Sequence, residues 1–316
     1  MPIHFLPAGG RVGGSSDDAV AVARSFPPNL TPKGELRIGV VDTGFADSGT
    51  GIHPWLTGHL DGDPPIQRVP PTGATMLDEL DGHGTFVAGL ILREAPAATI
   101  HMVRPTTWLD GDVSEAIREL RDCHLINLSF AAAQRETEEP ALIKDALNEL
   151  DGNTVVVVAA GNQGGSEVVY PAGVKIDGAA RIIAVGAVNE TRAAQVGAPP
   201  HVASFSNHGS WVDCYASGEQ VLGPHCYYVE KPASSVARAP QEFRGWALWS
   251  GTSFAAATVT GVIARAATEN GMSVRSAAEW IVDRGHRIPV PGDQPDTLDR
   301  KPHIRGVGST WGESTT

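Results

Sequence analysis

The sequence predicts a doubly wound α/β fold, with a mostly parallel central sheet and helices on both faces, and two patterns predict it. Five short apolar runs, RIGVV (37–41), ATIHMV (98–103), HLINLS (124–129), TVVVVAA (154–160) and RIIAVGAV (181–188), have the length of strands buried on both faces. Helix-like segments lie between several of them, and such alternation means parallel strands joined by crossovers. The helical segments are HGTFVAGLIL (83–92), DVSEAIRELRD (112–122) and EEPALIKDALNEL (138–150). In the second, Val113, Ala116, Ile117 and Leu120 share one face, and an acidic residue opens the helix. Two more helices are expected after Ser253, one running to about Ala267 and one from Val274 to Asp283.

Composition narrows the class. The chain has 316 residues, 41% hydrophobic and 19% charged, a globular balance with ample length for a large core. A net charge of −12 argues against nucleic acid or an anionic membrane as a partner. The apolar runs are too short to span a bilayer, and the first residues lack the basic and apolar regions of a signal peptide. Three cysteines, Cys123, Cys214 and Cys226, fit reduced thiols and a cytoplasmic location, with a Cys214–Cys226 pair left open for an exported chain. Residues 1–35 are rich in Gly, Pro and Ser and read as a leader or arm. Residues 36–286 read as the main domain, 224–247 within it as a loop or hairpin, and 287–316 as an extended arm.

In doubly wound folds ligands bind outside the carboxyl ends of the strands, so residues that follow strands are the candidates. Asp42 follows the first strand, in VVDTG; His83 opens a helix, in DGHGTFVAG; Asn162 follows the most apolar strand, in VVVVAAGNQGG. Each has a plain reading as turn or helix-end chemistry. Ser253, in SGTSFAAATVTG, reads either as a helix N-cap or as a nucleophile at a tight turn. Together the four supply one group of each type that acyl transfer needs. An imidazole takes the hydroxyl proton, a carboxylate orients the imidazole, and an amide donor meets the oxyanion.

These four segments, in this order, resemble the signature segments of the subtilisin-like serine proteases, as do INLSFAA (126–132), YPA (170–172) and ASFSNHG (203–209). The resemblance covers roughly residues 36–270 and implies that 36–286 is a catalytic domain. It implies that Ser253 is the nucleophile, His83 the general base and acid, Asp42 its orienting carboxylate and Asn162 an oxyanion donor. It further implies that Leu128, Ser129, Phe130 and Ala131 add a substrate strand, that Gly161 also binds substrate, and that Val169 lines the primary specificity pocket. Val169 stands where many relatives carry Gly, so a shallower pocket for small or medium apolar side chains is expected. The segment after His83 lacks the inserted loop that binds calcium in many secreted relatives. No obligatory cofactor is therefore expected, and Asp78, Glu79 and Asp81 read as a solvated face, with calcium elsewhere left open. IHFLPAG (3–9) somewhat resembles the short inhibitory extension of intracellular relatives, which would lie in the substrate groove. The activity implied is peptide-bond hydrolysis on protein or peptide substrates. The alternatives are a transpeptidase or macrocyclase using the same triad, and a catalytically silent binding protein.

Overall fold

The computed structural model describes residues 36–69, 80–132, 138–190, 193, 197, 199–229, 242–291 and 298–306, and the backbone of two short strands at 5–7 and 20–21. The two short strands are β1 (Phe5–Pro7) and β2 (Val20–Ala21). The next are β3 (Arg37–Val41), β4 (Phe45–Asp47), β5 (Ile66–Arg68), β6 (Thr99–Val103), β7 (Leu125–Leu128), β8 (Phe130–Ala132) and β9 (Val155–Ala159). The remainder are β10 (Arg181–Val188), β11 (Cys214–Ser217), β12 (Val221–Val229), β13 (Glu242–Trp249), β14 (His286–Pro291) and β15 (Leu298–Ile304). The helices are α1 (His83–Glu94), α2 (Asp110–Glu119), α3 (Ala141–Asn148), α4 (Thr252–Asn270) and α5 (Val274–Arg284).

An eight-stranded sheet in the order β14-β15-β11-β10-β9-β7-β3-β6 carries the fold. From β15 to β6 every neighbouring pair is parallel, and β14 closes one edge antiparallel to β15. Alternation along the strands builds two cores. Val155, Val157 and Ala159 of β9 face the core that contains α1, α4 and α5, whereas Val156 and Val158 face α2 and α3. The amphipathic face read from the sequence, Val113, Ala116, Ile117 and Leu120, lies in the second core. Helix α4 approaches α1 closely enough that a Cβ on Gly261 would stand 2.6 Å from the Ile91 carbonyl oxygen, so the crossing needs glycine there. The layers therefore match the predicted doubly wound class.

Two features lie outside that layered pattern. β12 and β13 form an antiparallel hairpin, so the segment expected as a loop or hairpin is a hairpin from 221 to 249, with 230–241 outside the described residues. Its second strand β13 also pairs with β2 of the N-terminal segment, and so lies in the middle of a three-stranded sheet. The reading of 287–316 as an extended arm is corrected over its described part, 287–291 and 298–306. β14 and β15 belong to the central sheet, and Ile288 and Val290 are buried against Tyr215 and Val188. Pro289 and Pro291 suggested a coil, but an edge strand tolerates proline because one side of its backbone has no ladder to complete. Ending the chain after Arg284 should expose the β11 edge and Tyr215, and lower the urea midpoint by the equivalent of several kcal/mol. Urea denaturation followed by tryptophan fluorescence checks this.

Candidate active site

Asp42 is the first residue past β3, and its amide donates to the Val103 carbonyl at 3.1 Å, which ties the turn to β6. Its Oδ1 accepts from the Thr43 amide at 2.7 Å and from His83 Nδ1 at 2.8 Å. Both side chains are fully buried. Because Nδ1 donates to the carboxylate, a neutral His83 ring carries its lone pair on Nε2, an atom that is buried and has no hydrogen-bond partner. The approach of α1 to this turn depends on Gly84, since a Cβ there would run into the Gly44 carbonyl. Gly82, the N-cap of α1, takes the left-handed conformation with φ of 83°. Trp249 meets the His83 ring edge-on at a centroid distance of 5.7 Å, and Phe254 packs on it at 5.5 Å.

Ser253 lies inside the first turn of α4, whose N-cap is Gly251, so the capping reading of Ser253 is set aside. Its hydroxyl donates to the Ser129 carbonyl at 2.9 Å, which ties the start of α4 to the segment between β7 and β8. Ser129 is held in turn: its hydroxyl donates to Asn127 Oδ1 at 2.7 Å, and Asn127 Nδ2 donates to Thr260 of α4 at 3.0 Å. Asn162 Oδ1 accepts from both the amide and the hydroxyl of Thr252, each at 2.9 Å. The Thr252 hydroxyl also accepts from the Gly161 amide at 3.0 Å. These contacts turn the carbonyl end of the Asn162 amide toward Thr252 and its NH2 end the other way.

Asp42 and His83 are thus directly bonded. Ser253 and Asn162 are linked through the adjacent Thr252, while the Ser253 hydroxyl bonds Ser129 and leaves His83 Nε2 unpartnered. Leu128 ends β7 and is buried, and Phe130 and Ala131 belong to β8. β8 pairs antiparallel with β1, in the register Phe5↔Ala132, Leu6↔Ala131 and Pro7↔Phe130. Residues 3, 4, 8 and 9 of the expected inhibitory segment lie outside the described residues. Gly161 has φ of 93°, and Val169 Cγ1 stands 3.5 Å from where a Gly161 Cβ would be, so these two residues face each other.

Sequence reasoning missed several parts of this arrangement. Thr252 stood within the quoted SGTS stretch without a role, although a hydroxyl beside a candidate nucleophile is a signal worth following. Trp249 came from the hairpin and gave no sign of packing against a residue 166 positions earlier. Asp78 and Glu79 are outside the described residues, and the solvated-face reading of Asp81 is corrected. Asp81 is buried and its Oδ1 accepts from Gln67 Nε2 at 3.2 Å. Among the described residues no group of three or more His, Cys, Asp and Glu side chains could hold a metal ion. All three cysteines are buried and none forms a disulfide, so Cys214 and Cys226 are not bridged to each other. No helix among the described residues is long and apolar enough to cross a membrane.

Set beside known proteins, residues 33–294 match the model of the Subtilase family. A thermophilic serine proteinase of Bacillus sp. (strain AK1) is 30% identical over 224 residues, 65% of this chain and 48% of that protein. The chain thus spans about half the length of that relative. The major intracellular serine protease of Bacillus subtilis (strain 168) is 26% identical over 66% of this chain and 68% of its own. A cold adapted subtilisin-like serine proteinase of known structure superposes with a TM-score of 0.58 at 20% identity, over 92% of this chain and 96% of its own. The fold is that of subtilisin-like proteins, and the family model covers most of the chain. The chain belongs to the Subtilase family.

Two predictions follow from the local contacts. Thr252→Val, which removes the hydroxyl shared by Asn162 and Gly161, should lower kcat about fivefold with little change in KM, the scale of about 1 kcal/mol for a lost hydrogen bond; steady-state peptide hydrolysis measures it. Burial pushes the His53 and His225 imidazoles down, to about 4 and about 3. Both stay neutral in the folded chain while the unfolded chain takes up protons as pH falls below about 6.5. Stability is therefore fully present above that pH and is lost on acidification toward 4, by up to about 1.4 kcal/mol per pH unit for each ring. Urea midpoints from pH 7 to 4.5 should fall, and less steeply in His53→Phe.

Proposed function

We propose that this chain hydrolyses peptide bonds through an acyl-enzyme formed on Ser253. The observation that carries the reading is the buried Asp42–His83 hydrogen bond, which leaves His83 Nε2 as an unpartnered acceptor beside the start of α4. Rotation about the Cα–Cβ bond of Ser253 exchanges the Ser129 carbonyl for that acceptor; such hydrogen bonds often align only when substrate is bound. Ser253 Oγ then adds to the scissile carbonyl as its proton passes to Nε2, and Asp42 stabilises the resulting imidazolium. The Asn162 amide and the Ser253 backbone N–H face the oxyanion, aided by the partial positive charge at the N-terminus of α4. Collapse of the adduct breaks the C–N bond, and the proton on Nε2 goes to the leaving amine. Water, deprotonated by the same nitrogen, cleaves the ester and returns the serine.

The substrate backbone lies along β8 as an added antiparallel strand, which gives affinity through main-chain hydrogen bonds and tolerates many sequences. Gly161 and Val169 bound the pocket for the residue on the acyl side of the cleaved bond, and Val169 limits that residue to small or medium apolar side chains. The chain's own segment at 3–9 restrains activity by taking the place of substrate. The antiparallel pairing of β1 with β8 supports that reading. The excess of acidic residues supports protein or peptide substrates over nucleic acid. We also propose a cytoplasmic location, which three cysteines outside any disulfide and the intracellular relative support.

Digestion of a peptide library, with product masses, tests the reading. Each cut should add one water across two fragments, with Ala and Leu preferred over Phe before the cut, and Ser253→Ala should make no products. Joined or cyclic products of unchanged summed mass would instead indicate transpeptidation. Asn162→Ala should cost about 10²- to 10³-fold in kcat, the scale of one oxyanion donor. Deleting residues 1–10 should raise the hydrolysis rate, and an unchanged rate would contradict self-inhibition.

A further inference from the structure

The β12–β13 hairpin packs on α1 and, through Trp249, on the His83 ring. His225, on β12, is almost wholly buried and lies between the hairpin and the turn that leads into α1. One face of its ring stacks on Phe243 of β13, with centroids 4.8 Å apart and planes within 27°. It meets Trp249 at 5.6 Å, and Trp249 is the ring that stands edge-on to His83. Its Nδ1 lies 3.1 Å from Cys226 Sγ. Its Nε2 is buried without a hydrogen bond of good geometry and faces the backbone of Asp81 and Gly82. The approach is close: a Cβ on Gly82 would stand 2.9 Å from that nitrogen.

We propose that His225 is a positioning residue for the His83 imidazole. The inference rests on the reading of His83 as the general base. Gly82 directly precedes His83 and takes the left-handed conformation, which glycine adopts without the steric penalty of a Cβ. Helix α1 has no side-chain cap at this end; the Gly82 amide donates to Gln67 Oε1 at 3.0 Å and its carbonyl accepts from the Phe86 amide at 2.9 Å, and the His225 ring packs against the open side of this turn. The His225 ring fills the space into which the Gly82–His83 peptide could swing, and through Trp249 it also backs the imidazole from the side. A shift of the ring by a fraction of an ångström lengthens the bond to Asp42 and misaims Nε2, and misplacements of about 1 Å can cost about 10²-fold in rate. His225 touches no reacting atom in this scheme. It acts through Gly82 and Trp249.

The test compares His225→Ala with His225→Gln in the full chain. The Gln amide reaches the point that Nε2 occupies and can donate to the Asp81 carbonyl, so Gln restores the contact that Ala deletes. His225→Ala should lower kcat about tenfold with KM unchanged, and should weaken the low-field proton NMR resonance of the Asp42–His83 hydrogen bond. His225→Gln should recover both. If the Ala variant does not fold, His225→Ser takes its place with the same expectation. Unchanged kcat and resonance in a folded Ala or Ser variant would overturn the proposal, as would a loss confined to thermal stability or to KM, or a Gln variant no better than Ala. A wild-type chain that hydrolyses nothing would count against the peptidase reading instead. The resonance, which needs no turnover, would still decide the role of His225.

Discussion

A carboxylate with no access to water has to be paired, and the hydrogen bond between Asp42 and His83 is the pairing on which this site depends. Burying an ionised group without a partner costs several kcal/mol, so the bond positions the imidazole and also makes the buried carboxylate tolerable. Much of the local architecture serves this contact. Gly84 lets α1 come against the Asp42 turn, Thr43 gives the carboxylate a backbone donor, and the ties from β3 to β6 and β7 fix where the turn begins. Around it the wall is aromatic, with Trp249 and Phe254 on the imidazole and Phe86 packed against both.

The serine half of the site is organised by a separate polar network at the same end of the sheet. Thr252 gathers Asn162 and Gly161, and Asn127 reaches from β7 to Thr260 on α4 while holding Ser129. The two halves meet through Phe254, which follows Ser253 in sequence and lies on the His83 ring. α4 is therefore the element that registers one half against the other. Its run of Ala255, Ala256 and Ala257, all fully buried, lets the helix lie close to the sheet. The helix begins at Thr252 with small residues and no proline in its first turns.

Local signals carried far in the sequence. The strand runs at 37–41 and 181–188 match β3 and β10, and the other three agree within one residue at each end, because Val and Ile in continuous runs mark strands buried on both faces. The candidate site was equally legible in residue type, since Asp42, His83, Asn162 and Ser253 each sit at an element boundary. What the sequence could not convey was contact between distant segments. Cys214–Ser217 is a four-residue strand whose short CYAS sequence carries little apolar pattern to mark it. In HRIPVP the buried Ile288 and Val290 alternate with exposed neighbours, yet the prolines masked a period of two. The edge contact of Trp249 with His83, and the seat of His225 beneath Gly82, depend on how the hairpin folds over α1. No periodicity within the hairpin encodes that.

Reaction with a fluorophosphonate probe at pH 7.5 tests the central claim most directly, because the probe modifies only a serine whose proton is taken up by an aligned base. The full chain, a chain lacking residues 1–10, and Ser253→Ala would be compared by intact mass. One probe should add to the shortened chain faster than to the full chain, and none to Ser253→Ala. A folded shortened chain that takes up no probe, or equal labelling of Ser253→Ala, would contradict the assignment of Asp42, His83 and Ser253 as one catalytic unit.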